Sequence, residues 1–525
     1  MKTLEEVFET WEAVIGLEIH AELTTLETKM FCGCKLEFGA APNTHTCPVC
    51  LGLPGALPVP NRAAIESIVL AGLATNCDIE KHSMFYRKNY MYPDMAKNFQ
   101  TTQGPIAFCM RGHLDLDVDG RGATERYRLD ALAPGESDGN ITRTEDGYVA
   151  HVGITRIHME EDAGKMVHLG GGEGRIAGAT QSLVDYNRAG TPLIELVTEP
   201  DLRTPEEARL FMQKLRQIYL AIGISDCSME EGSMRCDGNV SLRRRGSTKL
   251  GVKTELKNMN SFKNLHDGLA YEICRQAEVL EEGGQIYQET RHWDPTMKHT
   301  IVMRVKETAD DYRLFPEPDL APYDLSDEFI EGVRAKLPEL PDQKAARFAD
   351  EFGLSAYDAR HLVDHRATAD FFEACMEVAG KDAAKLAKPV ANLAINDVTA
   401  WLNASEDADL AQSPLTPARA VELVKLLAED AISSKQAKQV FSAIMDEDKD
   451  PSVIVEERGM KQVSDTGAIE AVVDAIIAAN PDEVARYKEG NTKVIGFFVG
   501  QCMKEMRGQG NPKIINQLLA KKLAE

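Results

Sequence analysis

The sequence predicts an α+β protein in which a strand-rich part is followed by a helical part. From about residue 10 to about residue 315, short segments of alternating polar and apolar residues recur between turns rich in Gly and Pro, a pattern typical of strands. Beyond the proline-rich strip 315–322 the apolar residues return at helical spacing. We place the first domain boundary at this strip, because clustered prolines interrupt regular elements.

Composition limits the classes of protein that fit. The 525 residues include 83 acidic and 59 basic side chains, a net charge of −24, so any contact with RNA must use a local basic patch. No apolar run reaches the roughly 18 residues of a membrane span, and the acidic N-terminal residues are unlike the basic start of a secretory signal. We expect a soluble, cytoplasmic protein without a membrane segment.

The first functional pattern lies on a strand predicted at residues 14–23. Alternation places Glu18, His20 and Glu22 on one face of this strand, opposite the apolar residues Leu17, Ile19, Ala21 and Leu23. Residues on the same face lie roughly 6.5–7 Å apart, so Glu18 and His20 could reach one metal ion or a pair of ions from a rigid support. The alternative is a half-exposed strand with a polar face.

A second pattern is the charge-rich segment 153–165. Its adjacent carboxylates Glu160, Glu161 and Asp162 repel one another, so burial of any two would raise their pKa values unless a cation neutralises them. A hard divalent metal is the simplest neutraliser. The alternative is a solvated acidic turn.

Two later segments also alternate and carry both charges. One face carries Arg235, Asp237, Asn239 and Ser241, and a second, shorter segment carries Lys253, Glu255 and Lys257. Carboxylates mixed with cations can hold a phosphate group together with its metal. Several strands of this kind predict a concave sheet whose charged side chains could bind a nucleotide together with its metal ion.

Four of the eleven cysteines are grouped in the sequence. Cys32, Cys34, Cys47 and Cys50 form two close pairs, a spacing typical of a tetrahedral structural zinc site. His45 could replace one thiolate, and the alternative is four unconnected buried cysteines. The odd total favours reduced thiols over a disulfide framework, and we interpret the other seven as core residues.

The helical part contains recognisable helix starts. Thr416 before Pro417 predicts an N-cap and a first turn, Ser433 or Ser434 begins the next helix, and residues 494–506 precede a closing helix. Residues 482–525 include eight Lys or Arg and five Asp or Glu. This weakly basic end is the best candidate for an RNA-facing surface, and a solvated helical face is the alternative.

Some catalytic motifs are absent from the sequence. There is no P-loop motif, and the glycine-rich stretch 170–174 lacks the required context, so we interpret it as a flexible loop. Neither an amidase serine motif nor a glutaminase cysteine setting is recognisable. If the reaction consumes ammonia from an amide donor, another chain must release it.

A family resemblance rests on ordered motifs at residues 14–20, 87–94, 154–165, 185–195, 229–243 and 255–258, and on tail residues 500–501 and 508–512. Together they resemble the B subunit of the bacterial three-subunit aspartyl/glutamyl-tRNA(Asn/Gln) amidotransferase. The resemblance implies an N-terminal cradle of antiparallel β-sheet flanked by helices at 1–315, with a cysteine-rich zinc element at 32–50. It further implies a helical domain at 316–430 and a helical tail at 431–525 that binds tRNA. Residues 121–149 look like an enlarged hairpin connection that shapes the surface.

The resemblance also implies the reaction. Such subunits use ATP and magnesium to phosphorylate the side-chain carboxylate of glutamate or aspartate misacylated onto tRNA, and ammonia then displaces the phosphate. This makes the chain a ligase that forms carbon–nitrogen bonds with glutamine as the amide donor. It would work in a heterotrimer with an amidase A subunit, which releases the ammonia, and a small C subunit. The substrate is Glu-tRNA(Gln), Asp-tRNA(Asn) or both.

Carried over motif by motif, the resemblance implies roles for single residues. Magnesium would be bound by Glu18 and His20, by Glu160 or Glu161, and by Glu230 or Glu231, with Asp237 and Glu255 as secondary candidates for metal ligands. The nucleotide would contact Arg156, Lys165 and Lys253, and catalysis would rest on Glu18, His20, Glu160, Glu161, Arg235 and Lys257. Arg87, Lys88 and Asn89 would have a role either in binding the substrate or in supporting the structure. His158 is expected to be packed and not to bind metal.

Two other functions stay open at this point. A zinc-containing RNA-binding or assembly protein without catalysis would suit the cysteines and the tail, but acidic strand faces repel RNA phosphates. A stand-alone ligase similar to glutamine synthetase would act on free glutamate without partners or tRNA, and the tail and the missing amide-cleaving centre discriminate between it and the amidotransferase subunit.

Overall fold

The computed structural model describes residues 2–119, 129–170, 178–305, 312–404, 409–462, 466–488, 490–506 and 509–524. The chain divides into two compact units, Met1–Leu340 and Pro341–Glu525. Unit 1 is built on a large sheet and unit 2 is helical, so the predicted α+β class is confirmed.

Unit 1 contains strands that the sequence pattern places between turns. They are β1 (Trp11–Glu22), β2 (Asp78–Ile79), β3 (His82–Ser83), β4 (Phe85–Asn89), β5 (Phe99–Gln103), β6 (Cys109–Val118), β7 (Ser137–Asp138), β8 (Ile141–Arg143), β9 (Tyr148–Glu161), β10 (Lys165–Leu169), β11 (Gln181–Asp185), β12 (Pro192–Thr198), β13 (Met234–Arg244), β14 (Thr254–Lys257), β15 (Glu289–Asp294), β16 (His299–Val305), β17 (Phe315–Pro316) and β18 (Tyr323–Asp324).

The main sheet has the order β16-β15-β14-β13-β1-β12-β9-β5-β4-β17, with β6 and β8 also pairing with β9. Its pairs are antiparallel except β14 and β15, which run parallel. A helix at 262–281 joins those two strands, and parallel neighbours require such a crossover. The predicted antiparallel sheet therefore contains one parallel pair.

The helices of unit 1 cover the apolar face of the sheet. They are α1 (Leu4–Phe8), α2 (Arg62–Ala74), α3 (Pro205–Ala221), α4 (Phe262–Glu281) and α5 (Asp327–Arg334). Leu17 and Ile19 of β1 belong to the same buried cluster as Leu215 of α3 and Leu269 of α4. The opposite face of β1 is left open for polar side chains.

The core of unit 1 continues beyond the proline-rich strip. Leu325, Ile330 and Val333, on or just before α5, belong to its buried cluster. The segment between 120 and 128, within the enlarged connection predicted at 121–149, lies outside the described residues. The domain limits at 315 and 430 stay predictions.

Unit 2 contains helices α6 (Pro341–Phe352), α7 (Ala356–Leu362), α8 (Arg366–Ala379), α9 (Ala383–Asn392), α10 (Thr399–Leu402), α11 (Pro417–Ala428), α12 (Ser434–Glu447), α13 (Pro451–Glu457), α14 (Thr466–Ala479), α15 (Pro481–Lys488), α16 (Ile495–Glu505) and α17 (Pro512–Ala524). Thr416 caps α11 and Ser433 caps α12, as the sequence predicts. Apolar residues form two clusters, one between Ala345 and Val455 and one between Ile469 and Leu523. Among the described residues, no helix is long and apolar enough to span a bilayer.

Candidate active site

The polar face of β1 forms the floor of the site. Glu18, His20 and Glu22 are partly exposed, whereas Leu17, Ile19 and Ala21 are buried, so the predicted alternation is confirmed. β1 lies between β12 and β13, and its register places His20 opposite Glu195 on one side and Arg235 on the other. Polar side chains of neighbouring strands therefore meet on the open face.

One imidazole and two carboxylates converge at the centre of this face. His20 Nε2 lies 3.2 Å from Glu195 Oε2 and 3.6 Å from Glu160 Oε1, and the ligand atoms of all three lie within 4.8 Å of one another. Although burial alone would lower the pKa of His20, the Glu195 and Glu160 carboxylates raise it. We call His20, Glu160 and Glu195 the carboxylate–imidazole group.

His158 lies beside this group and does not form part of it. It is buried on β9, and its Nε2 lies 3.6 Å from Glu195 Oε2 and 3.8 Å from Glu160 Oε2. Burial would raise the pKa of Glu195, but the His158 and His20 imidazoles hold it below its usual range. His158 thus supports the charge of Glu195.

Glu161, the sequence neighbour of Glu160, takes part in a different set of contacts. Its carboxylate is buried, forms an ion pair with Lys97 and accepts a 2.8 Å hydrogen bond from the Thr101 amide. Successive strand residues point to opposite faces, so only one of the two glutamates can face His20. The structure brings Glu160 to the group.

A second set of charged residues continues along β13 and β14. Lys257 Nζ lies 2.5 Å from Asp237 Oδ2 and 3.8 Å from Glu255 Oε1. Glu18 Oε1 accepts a 3.0 Å hydrogen bond from Asn239, and Glu255 Oε2 accepts one of 2.7 Å from Thr290. Two carboxylates therefore flank one ammonium beside the carboxylate–imidazole group.

Arg235 belongs to a third set, at the end of β1. It forms an ion pair with buried Asp162 and lies 3.4 Å from Glu22, and Arg188 Nε lies 3.5 Å from the same Asp162 carboxylate. Burial and the negative charge of Asp162 raise the pKa of Glu22 to about 8. Asp162 therefore holds two guanidinium groups, those of Arg235 and Arg188, near the end of β1.

Members of all three sets line one cavity of about 500 Å³, whereas Glu18, Glu255 and Glu195 are not part of its lining. Its walls include His20, Lys88, Glu160, Asp162, Arg235, Asp237, Lys257, His292 and Tyr312. A neighbouring cavity of about 360 Å³ shares Lys88 and Glu160 and is also lined by Arg156, His158 and Glu195. A concave site in which a few polar groups converge is the default candidate for a ligand-binding site.

The comparisons with known proteins cover nearly the whole chain. Residues 13–331 match the GatB/GatE catalytic domain, and residues 370–523 match the GatB domain. The chain belongs to the GatB/GatE family. The predicted resemblance is thereby confirmed.

The chain is similar to curated members of this family along their full length. The B subunit of the aspartyl/glutamyl-tRNA(Asn/Gln) amidotransferase of Carboxydothermus hydrogenoformans is 50% identical over 515 residues, which cover 98% of this chain and 99% of the relative. The protein of the same name from Geotalea daltonii is 48% identical over 516 residues, with the same coverage. That of Brevibacillus brevis is 47% identical over 510 residues, covering 97% of this chain and 98% of the relative.

Several predicted site residues of this family member lie outside the cavity lining. Glu230 and Glu231 are exposed in the turn before β13. Lys253 is exposed before β14, and Lys165 is exposed at the start of β10. The glycine stretch at 170–174 lies outside the described residues from 171 onwards. The geometry therefore separates these residues from the converging charges.

Arg87 and Asn89 hold a backbone segment in place. Arg87 donates to Glu317 through Nε at 2.7 Å and Nη2 at 2.6 Å, and its guanidinium lies 4.2 Å from the centre of the Phe99 ring. Asn89 donates to the carbonyl groups of Tyr312 and Arg313. Both residues fix the segment that carries Tyr312, a wall of the cavity, whereas their neighbour Lys88 lines the cavity itself.

The four grouped cysteines are brought together at 32–50. The sulfur atoms of Cys32, Cys34, Cys47 and Cys50 lie within 4.8 Å of one another. The hydrogen bond from Cys32, aided by Lys29, lowers the pKa of the Cys50 thiol to about 4. His45 lies outside this group, with Nε2 3.9 Å from Glu37. Four converging thiols fit a tetrahedral metal site with no open position.

Sequence reasoning missed Glu195, although a signal was present. Glu195 is the only charged residue among the seven of β12, PLIELVT. A lone carboxylate in an apolar strand is costly to bury unless it has a partner. Its partner could not be read from the sequence, because β12 pairs with β1, which lies far away in the chain.

Proposed function

We propose that this chain is the subunit that activates and amidates the side-chain carboxylate of glutamate or aspartate misacylated onto tRNA. It would act as a ligase with glutamine as the ultimate amide donor. The observation that carries the proposal is the cavity lined by His20 and Glu160 of the carboxylate–imidazole group together with Lys257 and Arg235, in a chain whose full-length relatives are amidotransferase B subunits.

A divalent cation, taken to be magnesium, suits the carboxylate–imidazole group. His20, Glu160 and Glu195 would hold it, because the two carboxylates provide the oxygen ligands and the negative charge that magnesium prefers, and the imidazole adds one nitrogen ligand. When bound, the ion would neutralise charge on the phosphate oxygens of ATP. Asp237 and Glu255, the other predicted metal ligands on neighbouring strands, contact the Lys257 ammonium, and Glu18 accepts a hydrogen bond from Asn239.

The first step forms an acyl phosphate. A side-chain carboxylate oxygen of the aminoacyl group attacks the γ-phosphorus of ATP, the bond to the β–γ bridging oxygen breaks, and ADP leaves with that electron pair. Lys257 and Arg235 can orient the phosphate and compensate its charge, because both project into the cavity from rigid strands. Lys88, on β4, offers a third cation in the cavity lining.

The second step forms the amide. Ammonia attacks the acyl carbon, the carbon–oxygen bond to phosphate breaks, inorganic phosphate leaves, and the nitrogen loses a proton. Ammonia would come from a glutaminase A subunit, with a small C subunit completing a heterotrimer, since the names of the relatives imply partner subunits. A site shielded from water would protect the acyl phosphate.

Two further parts of the chain support this function. Residues 431–525 would bind the tRNA through the weakly basic end, because the rest of the chain is acidic. The cysteine group would bind a structural zinc ion, which stabilises unit 1 and takes no part in the reaction. The sequence alternatives, a non-catalytic RNA-binding protein and a free-standing ligase, are not favoured by the full-length similarity to amidotransferase subunits.

An oxygen-isotope experiment tests the acyl phosphate directly. Glutamate labelled with ¹⁸O in its side-chain carboxylate is charged onto tRNA and supplied to the complex with ATP, magnesium and glutamine. The proposal expects one labelled oxygen in each released phosphate. Unlabelled phosphate alongside normal amide formation would refute it.

A further inference from the structure

A lysine is completely buried against the cysteine group. Lys29 has no exposed surface, and its Nζ lies 3.7 Å from Cys50 Sγ and donates a 3.0 Å hydrogen bond to the Tyr186 carbonyl oxygen. Its own backbone amide donates to the Cys34 carbonyl group. A buried ammonium is costly unless an opposite charge lies close to it. Four thiolates around a divalent metal carry a net charge of −2, which supplies that opposite charge.

The carbonyl group held by Lys29 belongs to a loop that runs from Asp185 to Gly190. Several hydrogen bonds join this loop to the cysteine element, residues 28–50. They include Tyr186 N to Asn43 Oδ1 at 2.8 Å, His45 N to Asn187 Oδ1 at 2.8 Å, and Met30 N to Gly190 O at 2.8 Å. These hydrogen bonds therefore link the position of the loop to that of the cysteine element.

The other side of the same loop supports the cavity. Arg188 donates to the Ala163 carbonyl group at 3.0 Å and lies 3.5 Å from Asp162. The Gly190 amide donates to the Asp162 carbonyl group at 2.9 Å. Asp162 lines the cavity and forms the ion pair with Arg235.

Gly190 marks the place where these parts meet. Its φ is +86°, and a Cβ added there would lie 3.5 Å from Lys29 Cδ, 3.7 Å from Cys50 Cβ and 3.8 Å from Glu161 Oε2. The packing is therefore close between the cysteine element, the loop and the end of β9. A displacement of Lys29 would therefore change its contact with the loop at Gly190.

We propose that Lys29 is a positioning residue that couples metal binding at the cysteine group to the geometry of the active-site cavity. Its ammonium balances the charge of the metal-bound thiolates, and its hydrogen bond to Tyr186 fixes the Asp185–Gly190 loop. The loop in turn holds Arg188 and Asp162 in place. This inference rests on the zinc site of the proposed function and is independent of the amidation chemistry.

The test measures zinc retention and loop protection in the full chain purified with its partner subunits. The variants are Lys29→Met, which removes the charge, and Lys29→Arg, which keeps it. The matched control is Lys35→Met, since Lys35 is an exposed lysine of the same element that pairs with Glu37. We expect zinc transfer to a coloured chelator to be at least about tenfold faster in Lys29→Met, intermediate in Lys29→Arg and unchanged in Lys35→Met.

A second measurement needs no variant and therefore does not depend on whether Lys29→Met folds. Hydrogen exchange of the backbone amides at 184–191 is compared before and after chelation of the parent complex. Faster exchange at the loop after chelation supports the coupling. The coupling would be overturned if Lys29→Met released zinc at the rate of the parent. It would also be overturned if amide exchange at the loop were the same before and after chelation. A parent complex that amidates tRNA and contains no zinc would also overturn it while leaving the proposed reaction intact.

Discussion

Glu195 Oε2 lies 3.2 Å from His20 Nε2, across the antiparallel pair of β12 and β1. The next strand, β9, adds Glu160 to the same group. Three adjacent strands that are widely separated in the chain thus each supply one side chain. Strands hold such side chains more precisely than loops do. The register of the sheet therefore determines the relative positions of the three side chains, as a metal site requires.

The first prediction concerns Glu195. Glu195→Gln keeps the shape of the side chain but removes one negative ligand, so binding of Mn²⁺, as a probe for magnesium, should weaken at least about tenfold in paramagnetic titrations. Glu199→Gln is the control, because Glu199 is exposed just after the same strand and accepts a hydrogen bond from Thr155. Parent-like Mn²⁺ affinity in Glu195→Gln would remove Glu195 from the ligand set.

The sequence predicts the polar face of β1 because a strand alternates with a period of two residues. It predicts the site of Glu160 and Glu161 but cannot choose between them, since their orientation depends on which face of β9 packs against the core. Glu195 and Lys97 escape prediction for a related reason, because strand order and register are fixed by contacts between distant segments. The helix starts at Thr416 and Ser433 are predicted well, because capping depends on local chemistry.

The second prediction concerns Lys257. Lys257→Met removes the cation between Asp237 and Glu255, so kcat for ATP turnover should fall about 10²–10³-fold, as is typical when one electrostatic contact to a transition state is lost. The KM for charged tRNA should change little, because the proposed role of the residue is to contact the phosphate of ATP. Lys249→Met, in the exposed loop before β14, serves as the control. Unchanged kcat in Lys257→Met would contradict its assigned role.

The third prediction concerns Arg87. Arg87→Lys keeps the charge but loses the paired hydrogen bonds to buried Glu317, which lysine cannot reproduce. The free energy of unfolding of unit 1, measured in urea, should decrease by about 1–3 kcal/mol. Arg111→Lys is the control, because Arg111 forms only exposed ion pairs among its described contacts, with Asp78 and Glu80. Equal urea midpoints for Arg87→Lys and the parent would refute this prediction.

The fourth prediction concerns the cysteine group. Cys47→Ser should reduce the zinc content measured by elemental analysis and lower the melting temperature, because a structural metal contributes directly to folding stability. Cys274→Ser, which changes a buried cysteine outside the group, should keep its zinc. A parent protein without zinc, together with an unchanged melting temperature in Cys47→Ser, would contradict the zinc assignment.

The proposed reaction uses ATP to amidate an amino acid carried by tRNA. The most direct measurement supplies the chain and its amidase and small partner subunits with magnesium, ATP and glutamine, and compares Glu-tRNA(Gln), Asp-tRNA(Asn) and free glutamate. We expect ADP and amide in equal amounts with at least one charged tRNA, and neither product above background with free glutamate. Amidation of free glutamate at the same rate, or binding of charged tRNA without ATP turnover, would contradict it.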